Sequence, residues 1–265
     1  MWIYFLLLVF CGAGIVVIYM RKKGSRNFLR YFKKSAATTL IEPKIPIENG
    51  GSTMNHCPAV ALADENANPE IDKLDRKEIK IAMEKGRASI EKSDLTSAEK
   101  SFVKVLSFDE NDLEANLNLG LIYLKKGLAA KAEAIYKKLI DLKCADAVIY
   151  SNLGNAYYQQ EKFKEAEEAY TKAVELDSQN PRRMINLGCV LHEMKNFDGA
   201  IEYISKAIAL DNNPDYHATM ADIYISLGNL ARAKEIIDFA RKIDKKSSAL
   251  KVVAKKLKAK KKKGH

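Results

Sequence analysis

The chain has 265 residues, enough for one large domain or two small ones, and carries 44 lysines and arginines against 34 aspartates and glutamates, a formal net charge of +10. Seven of the basic residues fall between Arg21 and Lys34 and eight between Lys251 and Lys263; without those fifteen the remainder has 29 basic against 34 acidic residues, so nothing in it points to nucleic acid as a partner. The four cysteines (Cys11, Cys57, Cys144, Cys189) and four histidines (His56, His192, His217, His265) have neither metal-ligand nor redox spacing, and no disulfide framework, metal site or cofactor is expected.

Residues 1–20, MWIYFLLLVFCGAGIVVIYM, carry no charge. About twenty helical residues span the roughly 30 Å hydrocarbon core of a bilayer, so the stretch reads as an N-terminal transmembrane helix. Trp2, Tyr4 and Tyr19 stand near its ends, where amphipathic rings favour the headgroups. A cleaved leader would carry positive charge before the apolar run and a small-residue cleavage site after it, and neither is present. The flank at 21–34 supplies Arg21, Lys22, Lys23, Arg26, Arg30, Lys33 and Lys34 on one side only, which predicts a single-pass protein whose bulk faces the cytoplasm. Within the flank Phe28, Leu29 and Phe32 share one helical face, so Arg21, Lys22, Lys23, Arg26, Phe28 and Phe32 are the expected membrane contacts, with anionic lipid as a candidate partner. Residues 35–70, with six prolines and glycines scattered through an aperiodic stretch, read as a disordered tether whose reach is some 30–35 Å.

An array is expected over 71–247. Leu119-Gly120-x-x-Tyr123, Leu153-Gly154-x-x-Tyr157 and Leu187-Gly188-x-x-Leu191 recur 34 residues apart, and Ala132, Ala166 and Ala200 keep the same step. Repeats fall at 79–112, 113–146, 147–180, 181–213 and 214–247, with Pro181 and Pro214 in the first turn of the next helix. Gly120, Gly154 and Gly188 are expected to meet Ala132, Ala166 and Ala200 across each helix pair. Tyr123 and Tyr157 fill the space one turn later, and Tyr136 and Tyr170 are placed to pack on the following repeat. Over 248–265, Leu250, Val253 and Leu257 predict a capping helix, followed by a lysine run without interleaved aromatics that is a solvated tail or adheres to anionic lipid.

Residues 113–247 resemble the tetratricopeptide repeat family through these Leu-Gly, Tyr and Ala positions. The resemblance implies an all-α, right-handed superhelical solenoid of about five repeats, binding a protein or peptide in a groove lined by each repeat's first helix, and no chemistry of its own; no catalytic residue is expected. It implies Leu117, Asn118, Leu121, Asn152, Asn155, Tyr158, Ile185 and Asn186 as groove residues, apolar in the first half. Chaperone-binding relatives clamp a terminal carboxylate with lysine, asparagine and arginine; here the matching positions hold Met83, Arg87, Asn118, Val148 and Asn152, which do not make that clamp. Asn118, Asn152 and Asn186 recur one repeat apart, similar to the asparagine ladder of O-linked N-acetylglucosamine transferase, and an amide can both donate to and accept from a ligand backbone. The layout of anchor, basic flank and repeats resembles bacterial envelope-assembly scaffolds, which implies a non-catalytic membrane-tethered adaptor. A mitochondrial outer-membrane import receptor shares that layout, and a secreted or periplasmic repeat protein is the alternative of a different class.

Overall fold

The computed structural model describes Phe5–Cys11, Gly14–Met20 and residues 73–263, in a chain that divides into two units, 1–47 and 48–265. In the first unit β1 (Phe5–Cys11) and β2 (Gly14–Met20) pair antiparallel, with Phe5 opposite Met20 and Cys11 opposite Gly14. The expected transmembrane helix is therefore corrected to two short strands. A continuous apolar run carries no period that separates helix from strand. Two features favour the ribbon: β-branched and aromatic side chains, among them Val9, Val16, Val17, Ile18 and Tyr19, and a Gly-Ala-Gly sequence in the middle. No helix among the described residues is long and apolar enough to cross a membrane. The basic flank and the tether at 35–70, with the membrane contacts expected there, lie outside the described residues.

In the second unit the described residues form α1 (Lys73–Glu91), α2 (Leu95–Leu106), α3 (Leu113–Lys125), α4 (Ala129–Asp141), α5 (Ala147–Gln159), α6 (Phe163–Leu176), α7 (Pro181–Glu193), α8 (Phe197–Leu210), α9 (Pro214–Ser226), α10 (Leu230–Ile243) and α11 (Ser248–Lys263). Each helix packs on the next in sequence. In addition α3, α5, α7, α9 and α11 meet their counterparts one repeat along, which lines up the first helices of the repeats on one side of the solenoid. Among the described residues the core clusters draw their buried residues from 82–257. Cys144 is buried in this core, and Cys189 carries a free thiol.

Local signals start the helices. Asp94, Asp112 and Asp146 accept from the backbone N–H three residues on, and Asn180 and Asn213 cap α7 and α9 ahead of Pro181 and Pro214, as the sequence predicts. The turn between the two helices of a repeat needs one left-handed residue at a fixed place, occupied by Ser93, Gly127, Glu161, Lys195 and Gly228 with φ between 58° and 79°. Only two of the five are glycine, so three positions carry the cost of a side chain in that region, about 1–2 kcal/mol. Lys195→Gly is accordingly expected to raise stability by about 0.5–1 kcal/mol after the larger unfolded-state entropy of glycine is discounted. An unchanged or lowered urea midpoint would contradict it.

The side chains nearest the glycines of the Leu-Gly pairs are not those of the alanines, although the Ala200 carbonyl lies 3.4 Å from a Cβ on Gly188. A Cβ on Gly120 would lie 2.7 Å from Cζ of Tyr136, on Gly154 2.6 Å from Cδ1 of Tyr170, and on Gly188 2.6 Å from Cγ1 of Ile204. Ala132, Ala166 and Ala200 are fully buried, but the side chain one helical turn later fills the space above the glycine. Tyr136 also packs with Ile149 and Leu153 of the next repeat, so the large residue serves both contacts.

Candidate functional site

The first helices present one residue every 34 positions to the same level of the solenoid, which lets each expected groove residue be compared with its counterparts. At the level of Leu121, Asn155 and Cys189, the first two are sealed over the large side chain of the second helix, with Leu121 9% and Asn155 7% exposed. Asn155 Oδ1 accepts from the Tyr170 hydroxyl at 2.7 Å. In the previous repeat Leu121 offers no acceptor, and the fully buried Tyr136 hydroxyl has no hydrogen-bond partner among the described residues. Burial pushes the pKa of both hydroxyls up. Tyr136→Phe is therefore expected to be neutral or to stabilise by up to about 1 kcal/mol, whereas Tyr170→Phe should cost about 1–2 kcal/mol by leaving the Asn155 amide unpaired. Chemical denaturation of the two variants decides this, and equal effects would break the argument.

The ladder divides differently. Asn118 Nδ2 donates to the Glu114 carbonyl at 2.9 Å, and Thr219, at the same level in the fifth repeat, donates to the Asp215 carbonyl at 3.1 Å. Both ends are thus satisfied within their own helix. Between them the amides of Asn152 and Asn186 make no hydrogen bond to any described residue, although Asn152 is only 7% exposed. Leu117 is half-buried against the core beside Leu124, and Ile185 is half-buried between two core clusters. Tyr158 packs edge-on to Phe163 at 5.7 Å between centroids and donates to Glu193 Oε1 at 3.5 Å.

A set of contacts between neighbouring first helices was missed in the sequence. Arg87 grips Glu114 through Nε to Oε1 at 2.6 Å and Nη2 to Oε2 at 2.5 Å, so the residue compared with a carboxylate clamp is already occupied. Gln159 Nε2 donates to the Leu124 carbonyl at 3.3 Å, and His192 Nε2 lies 2.9 Å from Ser226 Oγ. The last two and Tyr158–Glu193 bridge residues 34 or 35 apart, a separation that the repeat period itself could have suggested. The two halves differ in character. Met83, Leu117, Leu121 and Leu124 make the first half apolar, while Cys189, His192, Glu193, Asp222 and Ser226 make the second half ionisable. Burial, with Glu193 and Asp222 nearby, pushes the Cys189 thiol up to about 12, which keeps it protonated and a poor nucleophile. Burial lowers the His192 pKa against the pull of the same two carboxylates, which keeps the ring neutral.

This arrangement defines a helical-repeat solenoid whose first helices offer a continuous surface to another polypeptide. The chain belongs to the tetratricopeptide repeat family: profiles of that repeat match residues 113–143, 147–180 and 191–260. The last match runs into α11 as far as residue 260. The family is generally non-catalytic, and the repeats make the chain a protein-interaction scaffold. Among solved structures it is similar to the crystal structure of MamA protein, at 27% identity and a TM-score of 0.56, covering 64% of this chain and 93% of that one. It is also similar to TTC0263, a thermophilic tetratricopeptide protein in Thermus thermophilus, at 20% identity, a TM-score of 0.56 and coverage of 68% and 98%. A third is Pseudomonas aeruginosa pilF, at 22% identity, a TM-score of 0.57 and coverage of 69% and 83%. No curated protein sequence matches the chain.

Proposed function

We propose that the protein is a non-catalytic adaptor that holds an extended segment of a partner along its first helices, at the cytoplasmic face of a membrane. The observation that carries the binding site is the pair of amides on Asn152 and Asn186, which lack hydrogen bonds to described residues while the flanking Asn118 and Thr219 are satisfied locally. Neither amide is taken up by a protein partner among the described residues, and a ligand backbone that donates and accepts can bond to both. Half-buried Leu117, Ile185 and Tyr158 supply apolar contact on either side. Selection of short peptides against residues 48–265 tests this reading: enriched sequences should carry an apolar anchor, and a selection that enriches nothing over a scrambled library counts against it.

Tethering rests on the uncharged residues 1–20 and the seven basic residues that follow. A two-stranded ribbon by itself leaves its outer backbone edges unpaired in lipid, so the tether does not cross the bilayer. The apolar side chains instead enter the interface, and the basic flank adheres to the anionic cytoplasmic leaflet. The full chain should sediment with membranes and a chain beginning at Glu48 should do so much less, with a reporter after His265 on the cytoplasmic side. Equal sedimentation of the two, or a reporter accessible from outside intact cells, would remove the tether.

A further inference from the structure

The lysine run near the end of the chain is part of an ordered helix with a defined orientation. One face of α11 is taken up by the array, since Leu250, Val253, Ala254 and Leu257 are between 2% and 8% exposed against the core of the fifth repeat. On the other side Lys251, Lys255, Lys258 and Lys262 follow one another at intervals of four, three and four residues, all exposed. That spacing puts them in a single stripe about 16 Å long. Register makes the stripe more telling. Lys251, Lys255 and Lys258 stand where α5 has Tyr150, Gly154 and Tyr157, the face against which a second helix packs, and a lysine in place of that glycine does not admit one.

The helix contains eight lysines and no carboxylate. Of these, Lys256 alone among the described residues forms an ion pair, with Asp222. Like charges three and four residues apart repel along a helix. Their anionic complement is not supplied by the array, and an outside surface supplies it.

From this geometry we infer that the exposed face of α11 is a docking surface for an anionic lipid bilayer, separate from the peptide groove. Lysine throughout, with no arginine, suits a diffuse sheet of charge better than a planar group read bidentately. The helix also lacks the aromatic side chains on which single-stranded nucleic acid stacks, and the asparagine, glutamine and arginine that read base edges. Its apolar face is already buried, so attachment is electrostatic and shallow, and holds the C-terminal end of the solenoid against the surface.

The test uses residues 48–265, a compact unit by itself, so that failure here is distinguishable from failure of the N-terminal tether. Flotation with phosphatidylcholine vesicles containing roughly 30 mol% phosphatidylserine should show binding that vanishes on pure phosphatidylcholine and is released by about 0.5 M salt. Each lysine near such a surface is worth on the order of fivefold in partition. Replacing Lys251, Lys255, Lys258 and Lys262 with glutamine should therefore lower binding at least about tenfold with only two of them in contact. Arginine at the same four positions should retain it. A second variant with Lys80, Lys92, Lys100 and Lys125 changed to glutamine carries the same net charge and should lose less than about threefold. Equal loss in the two glutamine variants would overturn the inference by reducing it to net charge. No binding to the anionic vesicles, or binding to duplex DNA in place of them, would overturn it as well.

Discussion

Gly154→Leu is expected to lower the melting temperature of the array by about 5–15 °C, corresponding to about 2–4 kcal/mol. A Cβ at that position would stand 2.6 Å from both Cδ1 and Cε1 of Tyr170, ring atoms that are themselves enclosed. The ring cannot swing aside cheaply, because its hydroxyl is held by Asn155 and moving it would break that bond in a buried setting. Two penalties therefore add: overpacking between α5 and α6, and an unpaired amide at Asn155. The loss should spread beyond one repeat, since each unit is stable only by stacking on its neighbours. Lys162→Ala gives a smaller comparison, though a larger one than its turn position suggests. Lys162 Nζ lies 2.8 Å from Glu133 Oε2 in the preceding repeat and 5.7 Å from the centroid of Tyr157. Burial alone would raise the Glu133 carboxyl, but hydrogen bonds from Lys137, Lys162 and Gln160 overcome it and hold the pKa at about 2. A partly exposed pair of this kind is worth about 0.2–1 kcal/mol. Melts of the two variants side by side check the ranking, and equal shifts would mean that the α5–α6 contact yields more easily than the geometry says.

The period and the identity of the helix pairs were legible because both follow from residues that recur at a fixed interval, and the turn prolines Pro181 and Pro214 marked two boundaries directly. What the interval concealed was which partner each residue has. Gly120 and Ala132 recur together, yet the glycine faces Tyr136, because the crossing of two helices selects the side chain one turn further along. Leu121, Asn155 and Cys189 share one position but differ in the residue behind them, Tyr136, Tyr170 and Ile204, so the same position is apolar lid, hydrogen-bond acceptor or half-buried thiol according to its repeat. The left-handed turn residues Ser93, Glu161 and Lys195 gave no glycine signal. Residues 1–20 were misread for a simpler reason, that uninterrupted hydrophobicity measures apolarity and is silent on backbone form.

The ladder prediction separates the two uses to which a recurring asparagine can be put. Replacing Asn152 and Asn186 together with alanine is expected to weaken binding of a selected peptide about five- to hundredfold, since each lost hydrogen bond is worth about 0.5–1.5 kcal/mol. Neither side chain bonds to any described residue, so the helical spectrum should be unchanged and the melt nearly so. Asn118→Ala is the internal control: its amide is committed to the Glu114 carbonyl, and its removal should leave affinity within about twofold. Asn155→Ala should behave in the opposite way, lowering stability through the stranded Tyr170 hydroxyl while sparing the peptide contact. Isothermal titration at a temperature well below all four melts reads affinity apart from stability. If the double variant binds as the wild type does, the ladder has no part in recognition and the apolar surface around Leu117, Ile185 and Tyr158 is the binding surface that remains. If it melts early yet binds normally once folded, the two amides support packing between α5 and α7, and the unpaired groups in the groove have a structural cause.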